Sequence, residues 1–99
     1  MRRVVWANSA KDDILATVRH IAADDPGTAE RVLAAIQQTG NALADFATGH
    51  PGRVAGTYEK SVARLPYVIA YALGADETDL TILRVIHTSR NWVADHWPE

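Results

Sequence analysis

Tyr67-Val68-Ile69-Ala70-Tyr71-Ala72-Leu73, then Gly74-Ala75-Asp76-Glu77-Thr78-Asp79, then Leu80-Thr81-Ile82-Leu83-Arg84-Val85-Ile86-His87 is the passage on which the fold turns. Two runs rich in β-branched and aromatic residues flank a polar loop of hairpin length, which predicts two paired strands, 67–73 and 80–87. Their apolar content is nearly continuous rather than cleanly alternating, as in central strands packed on both sides. Upstream, residues 58–65 read as a third strand. Pro66 cannot donate a ladder hydrogen bond and therefore belongs in the bend before Tyr67. An antiparallel meander is expected.

The first half of the chain has a different period. Thr48-Gly49-His50-Pro51-Gly52 is its densest turn cluster and marks the organisational midpoint. Before it, Ala29, Val32, Leu33, Ile36, Gly40, Leu43 and Ala47 fall on one helical face, predicting a helix from about Thr28 to Ala47. Gly40 inside that helix implies a close helix crossing or a kink. Asp25-Pro26-Gly27-Thr28 reads as a break followed by a cap, with Asp25 as a stop signal. Ile14, Leu15, Val18, Ile21 and Ala22 define an earlier helix, from Lys11 to about Asp24. Asn8 and Ser9 are its candidate N-caps, and Asp12 and Asp13 would favour the positive end of its dipole. Arg2-Arg3-Val4-Val5-Trp6 reads as a short first strand. The order is β-α-α-β-β-β, an α+β fold in which an N-terminal helical hairpin packs on one face of a small, mainly antiparallel sheet whose other face is partly open.

At 99 residues the chain has room for one domain, 1–99, with 92–99 as a flexible tail. Hydrophobic residues make up 47% and charged residues 22%, a composition that folds rather than stays disordered. No cysteine is present, which excludes a disulfide framework, a thiol nucleophile and thiolate zinc sites together. No apolar run is long enough to span a bilayer and none resembles a signal peptide, so a cytoplasmic location is expected. The net charge of -2 gives no global positive field toward nucleic acid or anionic lipid.

Locally the balance differs. Arg53, Lys60, Arg64, Arg84 and Arg90 face only Glu59 on the body of the sheet, because Asp76, Glu77 and Asp79 fall in the hairpin tip. Such a cluster, with Tyr58 and His87, suits a phosphate or an acidic protein surface, while any single arginine is by default a solvated or salt-bridged group. Strict alternation places Arg84 and His87 on opposite faces, so only one of them can line a given site. His87 has the chemistry of an acid or base near neutral pH, although a strand-end histidine more often only packs. His20, His50 and His96 show no i, i+4 pairing with another histidine or a carboxylate-rich partner, so a metal site is not expected, and no cofactor is expected either. Trp92 and Trp97 lie beyond the last strand, Trp92 closing the core and Trp97 left open.

In order and spacing, Trp6, Ala10-Lys11-Asp12-Asp13-Ile14, Arg19-His20-Ile21-Ala22, Asp25-Pro26, Pro51-Gly52-Arg53, Gly56-Thr57-Tyr58-Glu59, Leu65–Tyr71, Ile82–His87 and Arg90-Asn91-Trp92 resemble the RelE/ParE toxin superfamily, and within it the ParE-like branch. The resemblance implies a bacterial toxin of a type II toxin–antitoxin system that stabilises plasmids and is neutralised by a cognate antitoxin. That antitoxin would usually carry a ribbon-helix-helix domain, through which alone operator DNA is bound. ParE-like members inhibit DNA gyrase, whereas RelE-like members cut ribosome-bound mRNA. The resemblance therefore implies a non-enzymatic gyrase inhibitor, with Arg53, Tyr58, Lys60, Arg64, Arg90 and Trp92 as target- or antitoxin-binding residues. In the nuclease reading Arg64 would stabilise phosphate, with His87 or Arg90 near the C-terminal catalytic positions. Against that reading, Trp92 stands where a terminal tyrosine or histidine is expected, and a pI of about 6.0 is poor for a ribosome binder. A third implication is an inactive member that only binds its antitoxin.

Overall fold

A computed structural model of the protein describes residues 2–88. The elements are β1 (Arg3–Trp6), α1 (Asn8–Ala22), α2 (Pro26–Ala42), β2 (His50–Pro51), β3 (Tyr58–Ser61), β4 (Tyr67–Leu73) and β5 (Asp79–His87). They form a five-stranded sheet in the order β1-β5-β4-β3-β2. β1 runs parallel to β5, with Val4 opposite Leu80 and Trp6 opposite Ile82. All other pairings are antiparallel. The α+β layout of a helical hairpin on a mainly antiparallel sheet is therefore present, with one strand more than expected.

The additional strand is β2. It is two residues long and pairs His50 with Glu59 and Pro51 with Tyr58, inside what sequence pattern marks only as a turn cluster. The approach is close because Gly49 has no side chain: a Cβ there would lie 2.5 Å from the Tyr71 hydroxyl and 2.8 Å from the Glu59 carbonyl. The Gly49 N–H instead donates to the Tyr71 hydroxyl at 2.9 Å.

Both helices begin differently from the sequence expectation. α1 opens at Asn8 rather than Lys11, and its N-cap is the extended residue Ala7, without a side-chain cap. Asn8 and Ser9 thus lie inside the helix, and Ser9 Oγ donates to the Leu83 carbonyl at 2.6 Å instead. Asp25 is no stop signal but the N-cap of α2: its carboxylate accepts from Thr28 N–H at 3.1 Å and from the Thr28 hydroxyl at 2.7 Å, ahead of Pro26 in the first turn. These bonds from Thr28 hold the Asp25 carboxyl below the usual carboxylate range. Thr28 is therefore the capped residue and not the cap.

α1 ends at Ala22 and α2 at Ala42, short of Asp24 and Ala47. Leu43, 1% exposed, leaves the helical stripe to enter the core, and the Ala44 carbonyl accepts from Arg2 N–H at 2.8 Å, so tertiary contacts end the helix before its period does. The close approach at Gly40 is made by side chains of β1 and β5. A Cβ there would lie 2.5 Å from the Trp6 ring and 2.8 Å from Ile82, so the glycine makes room for a tryptophan laid across α2. Trp6 Nε1 then donates to Asn41 Oδ1 at 3.2 Å.

The core lies between the hairpin and one sheet face. Ala10, Val32 and Ile36 from the helices meet Ile69, Tyr71, Leu80, Ile82 and Val85. Each fully buried aliphatic side chain there contributes about 1.5–3 kcal/mol. β3 stops at Ser61 rather than Leu65, and Pro66 lies in the bend to β4, as its missing N–H requires. In β5 strict alternation fails. Ala70 pairs with Arg84 but Tyr71 pairs with Ile82, leaving Leu83 as the extra residue of a bulge. Leu80 and Ile82 before the bulge therefore share a face with Val85 and His87 after it.

Candidate functional site

Three surface features are built on this frame. The first is an apolar groove of about 520 Å³ along the helical hairpin, lined by Trp6, Ile14, Leu15 and Val18 from one side and Leu33, Gln37 and Asn41 from the other. It arises because the apolar stripes of both helices are wider than the sheet can cover: Val32 and Ile36 turn inward, while Leu15 remains 47% exposed. A second hollow of about 470 Å³ lies on the other flank of α2, between Ala42, Leu43 and Phe46 and the β3 residues Lys60 and Ser61. Phe46, in the loop after α2, is 75% exposed. A large apolar side chain so exposed beside a hollow is a signature of a surface that meets a partner.

The third feature is a polar cleft of about 280 Å³ where α1 crosses the ends of β4 and β5. Asp13, Thr17 and His20 line it from the helix, and Tyr67, Val85 and His87 from the sheet. The His87 ring stands edge-on to Tyr67, with centroids 5.2 Å apart.

The basic cluster expected on the sheet is broken up by pairing. Arg84 is held by Asp13, with Nε to Oδ2 at 2.7 Å and Nη2 to Oδ1 at 3.0 Å. The bonds from Asp13 raise the Arg84 pKa further. Asp13 also accepts from Val85 N–H at 3.0 Å. It thus serves the outer edge of β5 beyond the point where β1 has turned into α1, and Ser9 serves the Leu83 carbonyl on the same edge. Asp13 lies in the second turn of α1, so its role is this clamp and not first-turn dipole compensation.

Arg53 is tied to Glu59, Nε to Oε2 at 3.2 Å, and its backbone N–H donates to the same oxygen at 3.0 Å. Burial opposes ionisation of Glu59, but the Arg53 N–H and then the guanidinium prevail and hold its carboxyl below the usual range. The hairpin-tip acids are likewise faced by arginines, Arg2 to Glu77 at 3.9 Å and Arg3 to Asp79 at 3.8 Å.

Lys60 is partly buried on β3, beside the Phe46 hollow. Tyr58 stacks on Tyr71, with centroids 5.6 Å apart, so its ring belongs to the core face. Arg64 is not on a strand at all: it sits exposed in the turn between β3 and β4 with φ +66°. Arg64 and His87 are at the same end of the sheet, since Thr88 N–H donates to the Pro66 carbonyl there, but Arg64 does not line the cleft. Arg90 and Trp92, with Trp97 and the 92–99 tail, lie outside the described residues. Among the described residues no group of three or more His, Cys, Asp or Glu could hold a metal ion, and no helix is long and apolar enough to cross a membrane.

Sequence reasoning missed the exposure of Leu15 and Phe46 and the Asp13–Arg84 clamp. The stripe 14, 15, 18 was visible, but not that its Leu15 flank stays uncovered. Phe46, the chain's single phenylalanine, carried no periodic signal.

The fold of this βααββββ domain is shared with chains of solved toxin–antitoxin structures. The chain superposes with a TM-score of 0.81 on a chain of the chromosomal ParDE toxin–antitoxin system of P. aeruginosa, at 22% identity, covering 90% of this chain and 98% of that one. With a chain of the toxin–antitoxin complex RelBE2 of Mycobacterium tuberculosis the TM-score is 0.57, at 24% identity, covering 87% and 96%. A relative from Sinorhizobium fredii, named "Putative toxin Y4kP", is 36% identical over 92 residues, which are 92% of this chain and 93% of that protein. Residues 4–92 match the family described as the ParE toxin of the type II toxin–antitoxin system, parDE. The chain belongs to this ParE toxin family.

Proposed function

We propose that this ParE-family toxin inhibits DNA gyrase in the bacterial cytoplasm and is silenced by a cognate antitoxin whose apolar segment lies in the groove of the helical hairpin. The observation that carries the partner is the groove itself, with Leu15 about half exposed at its rim. A segment disordered on its own gains there the apolar burial it needs to fold, and the most economical occupant is an amphipathic helix. A ribbon-helix-helix domain on that antitoxin would carry the contact with operator DNA.

The pairing of basic residues supports gyrase over RNA as the target. Catalysis of RNA cleavage needs cations directed at a crowded phosphate, and Arg84 and Arg53 are each held by a carboxylate of the chain itself. Lys60, Arg64, Arg90 and Trp92 are the residues assigned to the target surface. The ribonuclease reading keeps one observation in its favour: His87 lines a polar cleft together with a second histidine, His20.

Induced expression without antitoxin, followed by topoisomer analysis and pulse labelling of translation, separates the two. Gyrase inhibition produces relaxed or cleaved plasmid and an SOS response before protein synthesis falls. An immediate arrest of translation with cut messages, and supercoiling by purified gyrase left intact, refutes it. Harmless expression supports an inactive member that only binds antitoxin. Leu15→Glu should abolish antitoxin capture while leaving the melting temperature nearly unchanged, because the residue is exposed.

A further inference from the structure

We propose that the groove of the helical hairpin selects an acidic helix, one whose apolar stripe is flanked along one side by two carboxylates about eight residues apart, with Lys11 and Arg19 as the residues that receive them. The inference rests on the antitoxin reading of the groove and adds the chemistry by which one antitoxin is told from another. Lys11, Leu15 and Arg19 occupy a single i, i+4, i+8 row of α1, and all three are exposed. Lys11 lines the groove, Leu15 is its apolar rim, and Arg19 follows one turn beyond Leu15. A helix rises about 1.5 Å per residue, so the two cations stand about 12 Å apart along that rim. An occupant helix crossing at about 20° keeps nearly the same spacing.

The pairing of charges elsewhere makes these two cations stand out. Arg2, Arg3, Arg53 and Arg84 each face a carboxylate of the chain, whereas Lys11 and Arg19 form no ion pair among the described residues. Their own helix cannot supply one. Positions three and four away from Lys11 are Ala7, Asn8, Ile14 and Leu15, and from Arg19 they are Leu15, Ala16, Ala22 and Ala23. Asp12 lies on the next row, and Asp13 is occupied by Arg84 and Val85 N–H. Glu30 of α2 pairs with neither cation. The groove lining itself holds no carboxylate, and its α2 rim carries the neutral amides of Gln37 and Asn41. Asn41 Oδ1 already accepts from the Trp6 indole, which leaves the amide nitrogen as a donor at the Trp6 end. An apolar trough edged by cations and donors is complementary to a helix with a negative flank, and a basic helix is repelled from it on approach.

The test measures association and dissociation rates of the full-length toxin with its full-length antitoxin at about 0.05 M and about 0.5 M salt. Lys11→Gln with Arg19→Gln should weaken binding about tenfold at the lower salt, mostly through slower association, and Lys11→Glu with Arg19→Glu about a hundredfold. At the higher salt, where charges are screened beyond about 4 Å, both losses should shrink to within about twofold. Replacing the two matching antitoxin carboxylates by lysine should restore binding to the doubly acidic toxin and weaken it to the wild type. Both side chains are exposed, so melting temperatures should stay close to wild type. Leu15→Glu separates this inference from the reading beneath it. If Leu15→Glu abolishes capture while both double variants bind as the wild type does, or lose affinity equally at the two salt levels, the charge selection is overturned and the groove reading stands. If Leu15→Glu captures antitoxin normally, both fall. Self-association of the free toxin that Leu15→Glu abolishes would give the groove to a second copy and overturn the proposal.

Discussion

Replacing Asp13 by alanine removes three hydrogen bonds from one carboxylate, and the structure allows its cost to be divided. Arg84 and Asp13 are partly shielded, with side chains 30% and 16% exposed, so the guanidinium can turn toward water once released and its share is about 1 kcal/mol. The Val85 N–H has no such freedom. It points from a residue 5% exposed into the space the carboxylate filled, and a backbone donor left unpaired there costs about 1–3 kcal/mol. The sum is about 2–4 kcal/mol, which for a domain of this length lowers the melting temperature by about 8–32 °C. Asp13→Asn keeps an acceptor for Val85 but loses the charge, and should fall about halfway. Asp12→Ala is the control, since Asp12 is exposed and makes none of these bonds. Thermal unfolding by circular dichroism at neutral pH measures all three. An Asp13→Ala protein that melts with Asp12→Ala would refute the view that a helix carboxylate closes the outer edge of β5.

Gly40→Ala should destabilise by about 1–3 kcal/mol in urea titration, although alanine is the better helix former by about 1 kcal/mol, because the added Cβ strikes the Trp6 ring. Glu59→Gln should flatten acid unfolding: the folded carboxyl titrates below its ordinary value of 4.5, so its stabilisation is complete above that pH and is lost as pH falls through the lower folded value. A wild-type-like slope below about pH 4.5 in the variant would contradict the Arg53 pairing. Arg64→Gly should stabilise by about 1 kcal/mol through relief of the positive φ, while Arg64→Ala and Arg90→Ala should reduce toxicity with antitoxin binding retained. Full toxicity of Arg64→Ala would remove that turn from the target surface.

The hairpin 67–87, the bend at Pro66 and the helical hairpin were legible because each rests on local rules of period, breaker and loop length. What escaped depends on contacts between distant residues. α2 ends where Leu43 is drawn into the core, although Ala47 continues the pattern. The bulge at Leu83 is invisible to a strict two-residue period and moves Val85 and His87 to the core face. β2 is too short to carry a pattern, and Asp13 and Arg84 are 71 positions apart, so nothing local announces their bond. Of the expected site, the sequence named Arg53 and Arg84 as a basic cluster but did not disclose their carboxylate partners Glu59 and Asp13. The groove beside Leu15 was not legible, because exposure is decided by what the rest of the chain fails to cover.

The sheet's two flanks are both poor templates. On one side β1 offers only four residues, and on the other the two-residue β2 includes Pro51, which has no N–H to give. Both edges are thereby guarded against lateral stacking into fibrils, and among the described residues the apolar hollows lie beside the helices. An antitoxin helix seated in the groove, as proposed above, would then be released without unzipping a shared ladder of backbone bonds.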